Sequence, residues 1–149
     1  MKRTSMALAF VLVTAAGVQV AHAQNSRRIH FTTAFPFTVG NAMLPGGTYS
    51  IAPSDLEPAV LVIRGFNTSV FERAIESGPS EPHQKSEVVF ERFGNGYILK
   101  SVWVARSSVG YQMDVKAAER RLARANEIPT EVRVSARPAP TRAKSPTVR

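Results

Sequence analysis

The sequence predicts a mainly β fold, a small antiparallel β-sandwich or barrel of about seven strands, with one short C-terminal helix and a disordered basic tail. Two observations predict the strands: apolar and polar residues alternate over short stretches, and Gly, Pro and Asn separate these stretches. The chain has no cysteine, so a hydrophobic core and not disulfide bonds must stabilise the fold. We therefore divide the chain into a signal peptide (1–23), a β-rich domain ending in a short helix (24–128) and a Pro/Arg-rich disordered tail (129–149).

The N-terminus has the pattern of a cleavable signal peptide. Lys2 and Arg3 precede the apolar run Met6–Val13, and the small-x-small pattern Ala21-His22-Ala23 precedes the bond to Gln24. This order predicts cleavage after Ala23 and a secreted or periplasmic product of a bacterial cell. A retained membrane anchor is disfavoured, because the apolar stretch is shorter than the roughly 20 residues that a spanning helix needs.

The first strands follow from alternation and turns. In the stretch 28–34, Ile29, Phe31 and Thr33 share one face, which is typical of a strand. The turn Leu44–Gly47 combines proline with two glycines, and Thr48–Ala52 returns as a strand. Further strands are predicted at 59–64, which is apolar enough for burial on both faces, and at 70–75.

Residues 87–104 predict a β-hairpin. Two apolar-rich runs flank Gly94-Asn95-Gly96, and Asn-Gly is the preferred pair for a two-residue type I′ turn. With Asn95 and Gly96 at the corner, Glu91 faces Lys100 and Val88 faces Trp103. This register places opposite charges together and is the one we predict. A three-residue corner would instead place Phe90 opposite Lys100 and Glu87 opposite Trp103.

The C-terminal third predicts a short strand, a helix and a tail. Tyr111–Met113 has strand character, Asp114 is a suitable N-cap, and 116–126 is rich in helix formers. Four prolines after position 128, with Ala, Thr and Ser between them, indicate disorder for 129–149.

The positive charge is concentrated near the C-terminus. Loss of Lys2 and Arg3 with the signal lowers the net charge from +8 to +6, and residues 120–149 contain eight basic and two acidic residues. Such a segment could contact anionic envelope surfaces; the alternative is a solvated extension that only aids solubility. No aromatic residue follows Tyr111, so no specific nucleic-acid binding is predicted. The candidate anion contacts are Arg133, Arg137, Arg142, Lys144 and Arg149.

No arrangement typical of an active site is apparent. His30 and His83 have no second ligand at metal spacing, so we predict no metal and no cofactor. The carboxylates of Glu87 and Glu91, and those of Glu72 and Glu76, are interpreted as solvent-facing charge, because four strand residues span roughly 14 Å, too far for a glycosidase pair.

The remaining candidates for a functional site are one aspartate and two aromatic residues. Asp55 lies in a predicted loop. Tyr97 and Trp103 are candidates for a ligand-binding face, although a place in the core is the simpler interpretation. On an alternating strand these two rings would lie on the same face.

A resemblance covers residues 31 to 123. The segments Phe35–Phe37, Val39–Asn41, Leu44–Tyr49, Val89–Gly94 and Tyr97–Trp103, with the closing Ala118-Glu119-Arg120 and Leu122-Ala123, resemble a family of short, uncharacterised secreted proteins common in acidobacterial genomes. The resemblance implies export and a β-rich fold, and it implies no catalytic residues. The basic tail lies outside its pattern.

These observations favour an exported, non-enzymatic β-domain with an interaction or structural role in the cell envelope or outside the cell. Its partner would be an envelope component or another protein, and the mature chain would have no transmembrane segment. One alternative is a small-ligand binder for lipid or carbohydrate. The other is attachment to an anionic envelope surface through the basic C-terminal tail.

Overall fold

A closed barrel of eight antiparallel strands forms the body of the protein. The computed structural model describes residues 27–78, 81–116, 119–120 and 128–139. The fold is therefore mainly β, as predicted, and the barrel decides between the two architectures that the sequence left open. The strands are β1 (Ile29–Thr33), β2 (Phe37–Val39), β3 (Ala42–Leu44), β4 (Gly47–Pro53), β5 (Val60–Arg64), β6 (Ser69–Glu76), β7 (Glu87–Phe93), β8 (Gly96–Trp103), β9 (Gly110–Met113) and β10 (Thr130–Pro138).

The strand order around the barrel is β1-β4-β5-β6-β9-β8-β7-β10, after which β10 pairs again with β1. Strands β2 and β3 form a small antiparallel hairpin that is attached to β8 by one parallel bridge, Thr38 to Ile98. The order places β10, the last strand in the chain, between β7 and β1. The N-terminal and C-terminal strands of the described chain are therefore neighbours.

The centre of the barrel is filled by side chains. Ile29, Phe31 and Thr33 are buried on one face of β1, and Tyr49 and Ile51 are buried on β4, which confirms the predicted alternation. The interior of an eight-stranded barrel is just wide enough for packed side chains. Ring centroids 5.1–6.1 Å apart join one aromatic cluster, which consists of Phe31, Phe35, Phe37, Tyr49 and Phe90.

The β7–β8 hairpin differs from its predicted register. Phe93 pairs with Gly96, so the corner is Gly94-Asn95 and not Asn95-Gly96. Gly94 has a φ of 55°, a left-handed value that glycine adopts without steric cost. A bulge then leaves Lys100 without a register partner. Neither predicted register is correct along the whole hairpin.

The bulge at Lys100 reverses the faces of β8. Leu99 and Val102 both belong to the core, although three positions separate them. The predicted face shared by Tyr97 and Trp103 is therefore wrong: Tyr97 packs against the core, and Trp103 lies on the outer side. Trp103 is opposite Glu87 rather than Val88.

The predicted disorder of 129–149 is wrong for residues 130–138, which form β10. This strand pairs with β7 from Thr130 to Ser135 and with β1 from Ala136 to Pro138. Val132, Val134 and Ala136 pack against the core, with charged or polar residues between them. Pro129 precedes the strand and Pro138 ends it, so neither missing N–H breaks a central ladder. Arg142, Lys144 and Arg149 lie outside the described residues.

The predicted C-terminal helix is not confirmed. Asp114 accepts a hydrogen bond from the N–H of Lys116 at 3.1 Å, and Glu119 donates to the carbonyl of Val115 at 2.8 Å. These contacts make one capped turn, and most of 116–126 lies outside the described residues. Ala23 and Gln24 lie outside them as well. In the part of the chain that the structure describes, no helix is long and apolar enough to cross a membrane.

Candidate functional site

One side of the barrel exposes basic and hydroxyl side chains together. On β1, β4, β5 and β10 the inward positions are apolar, so the alternate positions face outward. These outward positions, with Arg28 just before β1, form what we call the basic face. Its members are Arg28, His30, Arg64 and Arg137, with the hydroxyl residues Thr32, Thr48, Ser50 and Ser135.

The strand register aligns part of the basic face in a row. Arg137 is opposite His30, His30 is opposite Ser50, and Ser50 is opposite Arg64. With neighbouring strands about 4.8 Å apart, the backbones of Arg137 and Arg64 are roughly 14 Å apart. The row brings together residues that lie more than a hundred positions apart along the chain.

The bases of this face have no acidic partner among the described residues. No described carboxylate lies within 4.0 Å of Arg28, His30, Arg64 or Arg137. Two of the predicted anion contacts, Arg133 and Arg137, therefore differ in whether a carboxylate neutralises them. Arg137 belongs to the basic face, whereas Arg133 donates to Glu87 at 2.6 Å and to Glu131 at 3.3 Å.

The outer side of β7, β8 and the start of β10 has a different electrostatic character, because its charges neutralise one another. Lys100 Nζ lies 3.2 Å from Glu91 Oε1 and 3.1 Å from Glu131 Oε1. Burial alone would lower the pKa of Lys100, but hydrogen bonds to Glu131 and Glu91 outweigh it and raise that pKa. Glu91 is 5 % exposed and its Oε2 has no hydrogen-bond partner among the described residues, so its interpretation as solvent-facing charge is wrong.

The carboxylate of Glu131 makes this network sensitive to acid. The hydrogen bond from Lys100, its charge and the hydrogen bond from Arg133 hold the pKa of Glu131 below its usual value of 4.5. A depressed folded-state pKa stabilises the protein above the unfolded pKa, and this contribution is lost as pH falls through the folded value. The Glu131 side chain is 45 % exposed, so the contribution is at most about 1 kcal/mol.

We expect Glu131→Gln to flatten the loss of stability as the pH falls below 4.5, the usual pKa of the group. Urea unfolding at a series of pH values measures it. Glu57→Gln is the control, because Glu57 pairs with Arg73 at 3.6 Å on the exposed surface. Identical pH profiles for Glu131→Gln and the wild type would contradict the prediction.

The two aromatic candidates are engaged with the protein itself. Tyr97 stacks on Phe35 with centroids 3.8 Å apart, and the guanidinium carbon of Arg92 lies 5.8 Å from its ring centroid. Trp103 stacks on His83 at 4.1 Å and also covers Gly110, where an added Cβ would clash with the indole ring. The structure does not bring the two rings together as a ligand-binding face.

Glu72 differs from its predicted position on the solvent face. It shares the inward face of β6 with Val70 and Ala74 and pairs with the buried Leu61. Its carboxylate lies against Gly40, which has a φ of 57°. Burial, with the charge of Asp114, raises the pKa of Glu72. Within the described ranges, no group of three or more His, Asp or Glu side chains is placed to hold a metal ion.

A pocket of about 280 Å³ lies on the outer surface at the edge of the basic face. We call it the Arg28–Arg64 pocket, after the two bases among its lining residues. Exposed apolar side chains adjoin it: Leu56 is 96 % exposed and Phe71 is 64 % exposed, with Ile75 further along β6. No local motif marks this site in the sequence, because its residues come from separate strands.

Comparisons with protein-family models, with curated proteins and with solved structures find no match to this chain. The resemblance to the family of short secreted acidobacterial proteins therefore stays a prediction.

Proposed function

We propose that the protein is an exported, non-enzymatic β-barrel that attaches peripherally to anionic lipid surfaces of the cell envelope through its basic face. The observation that carries this proposal is that no described carboxylate lies within 4.0 Å of Arg28, Arg64 or Arg137. Bases that are not neutralised within the protein attract anionic headgroups by about 1 kcal/mol each.

The exposed apolar residues favour a lipid surface over a soluble polyanion. Leu56 and Phe71 adjoin the bases, and a side chain that is mostly exposed buries apolar area when it enters the boundary between headgroups and acyl chains. A polysaccharide or nucleic acid would offer these side chains no apolar environment. A scatter of single exposed apolar residues is ordinary, so their position beside the bases is the relevant fact.

The competing functions have less support. The aromatic cluster fills the barrel centre, so a ligand bound inside the barrel has no evident place. Attachment through a basic C-terminal tail keeps only one of its described residues in this proposal. Arg137 contributes as part of β10, whereas Arg133 is already paired with two carboxylates.

The test is cosedimentation of the exported protein with vesicles of phosphatidylglycerol and phosphatidylcholine. Substituting Arg28, Arg64 and Arg137 together with Gln is expected to weaken binding about 100-fold, since three contributions of about 1 kcal/mol are lost. Binding of the wild type should weaken with added salt.

A matched control removes the same charge elsewhere. Lys85, Arg106 and Lys116 are exposed bases outside the basic face, and their triple Gln variant is expected to bind within about threefold of the wild type. Equal losses in both triple variants would show that only net charge matters and would contradict attachment through this face. Unchanged binding in the first variant would contradict it too.

A further inference from the structure

We propose that the Arg28–Arg64 pocket is a discrete site for the phosphodiester headgroup of an anionic lipid, with the first part of the acyl region against Phe71 and Leu56. This inference rests on the proposed function and specifies its ligand. It goes further because a basic face can attract a membrane without binding any single lipid molecule.

The polar side of the pocket is arranged for phosphate. Arg28 precedes β1 and Arg64 ends β5, while Ser50 lies between them on β4, directly opposite Arg64. Two strand spacings and two residues along the strand separate the backbones of the two arginines by roughly 12 Å. Long side chains can converge over such a distance, and the guanidinium group bonds phosphate oxygens in pairs.

Arg28 is the better placed of the two arginines for a specific contact. It is half-buried, whereas Arg64 is exposed. Its carbonyl accepts a hydrogen bond from the N–H of Ala139 at 2.9 Å, so its backbone is fixed by the strand that closes the barrel. A positioned, partly desolvated base interacts more strongly with an anion than a fully solvated one does.

The apolar side of the pocket explains why the ligand is a lipid. Ala52, Val62 and Phe71 follow one another in register across β4, β5 and β6. They form an apolar strip beside the arginines, and Leu56 extends it from the loop after β4. A free phosphate ion would leave this strip exposed, whereas a lipid would cover it.

The size and charge of the pocket favour a headgroup with one negative charge. A volume of about 280 Å³ is below the range of about 300–1,000 Å³ that is usual for drug-sized ligands, so the pocket fits a headgroup and not a whole lipid. Asp55 is the one acidic residue among the lining residues. Two arginines and one aspartate leave a single positive charge, which matches a phosphodiester better than a doubly charged phosphomonoester.

The experiment uses dihexanoyl phosphatidylglycerol below its aggregation concentration, titrated into the exported full chain and followed by amide NMR. We expect saturable shifts at 50–56 and 62–64. Arg28→Gln with Arg64→Gln should weaken this binding by about tenfold or more, the loss expected for charged hydrogen bonds. Asp55→Asn should strengthen it about two- to fivefold by removing an opposing surface charge.

The controls separate this site from simple electrostatic attraction. Arg137→Gln should weaken vesicle binding but leave the affinity for the short-chain lipid within about twofold, because Arg137 does not line the pocket. Dihexanoyl phosphatidylcholine, with the same chains and no net charge, should bind more weakly than the glycerol lipid.

Three outcomes would overturn the proposal. Inorganic phosphate that binds as tightly as the short-chain lipid would identify a site for free anions. Vesicle binding without saturable shifts from the short-chain lipid would leave the proposed function intact and remove the discrete site. The absence of both would remove the proposed function and the site together.

Discussion

A chain that ends at Ile128 is expected not to fold, which is the largest loss of stability that we expect from any variant of this protein. Deleting 129–149 removes β10, which pairs with β7 on one side and with β1 on the other. Without it the barrel has two open edges and the core residues near Val132, Val134 and Ala136 become exposed. We expect the free energy of unfolding that is lost with one strand of a closed barrel to exceed the net stability of a small domain, which is usually about 5–15 kcal/mol.

The measurement is circular dichroism with thermal unfolding, supported by the dispersion of the amide NMR spectrum. The control deletes only 140–149, which follow the strand, and it is expected to unfold at the same temperature as the wild type. A cooperative unfolding transition in the chain that ends at Ile128 would contradict the role assigned to β10.

A pair of point variants tests the same strand without truncation. Val134 packs against the core and Ser135 faces outward. We expect Val134→Lys to lower the free energy of unfolding by about 2–3 kcal/mol. Ser135→Lys adds the same side chain one position later and should change it by about 0.5 kcal/mol or less. Equal effects of the two substitutions would mean that β10 does not alternate between core and solvent.

The sequence predicted the early strands because each has a clear local pattern. Alternation at Ile29, Phe31 and Thr33 corresponds to buried positions, and the apolar run at 59–64 is buried at Leu61, Val62 and Ile63. These features depend only on neighbouring residues. Local pattern is therefore sufficient where a strand alternates cleanly or is apolar throughout.

The same reasoning failed at β10, where two local signals conflict. Val132, Val134 and Ala136 alternate with polar residues, but the surrounding prolines and arginines are typical of disorder. What favours the strand is tertiary: β7 and β1 offer an open position on both sides, and Glu87 offers a partner for Arg133. A gap of this kind exists only after the rest of the barrel has formed.

The candidate site was unpredictable for a related reason. Arg28, Arg64 and Arg137 become neighbours only through the pairing of β10 with β1 and of β4 with its flanking strands. The sequence showed a basic C-terminal segment, but it could not separate Arg137 from the paired Arg133. That separation depends on which carboxylates lie across the strand.

The second large effect is expected from Lys100→Met, which should lower the free energy of unfolding by about 3 kcal/mol. Lys100 is the partner of Glu91 Oε1, and Glu91 Oε2 has none. The variant therefore leaves the carboxylate of Glu91, a residue that is 5 % exposed, without a hydrogen-bonded partner among the described residues. The estimate is at the lower end of the range for broken buried pairs, because the Lys100 side chain is 35 % exposed.

The double variant Glu91→Leu with Lys100→Met isolates the cause of that loss. Replacing a buried ion pair with apolar side chains is often neutral or stabilising, so the double variant should regain most of the lost stability. Urea unfolding of the wild type, both single variants and the double variant gives the coupling energy of the pair. If the double variant is as unstable as Lys100→Met, the loss comes from the packing of Lys100 in the bulge and not from the unpaired charge of Glu91. Recovery would instead assign the loss to the unpaired charge of Glu91, which the bulge in β8 places diagonally across from Lys100.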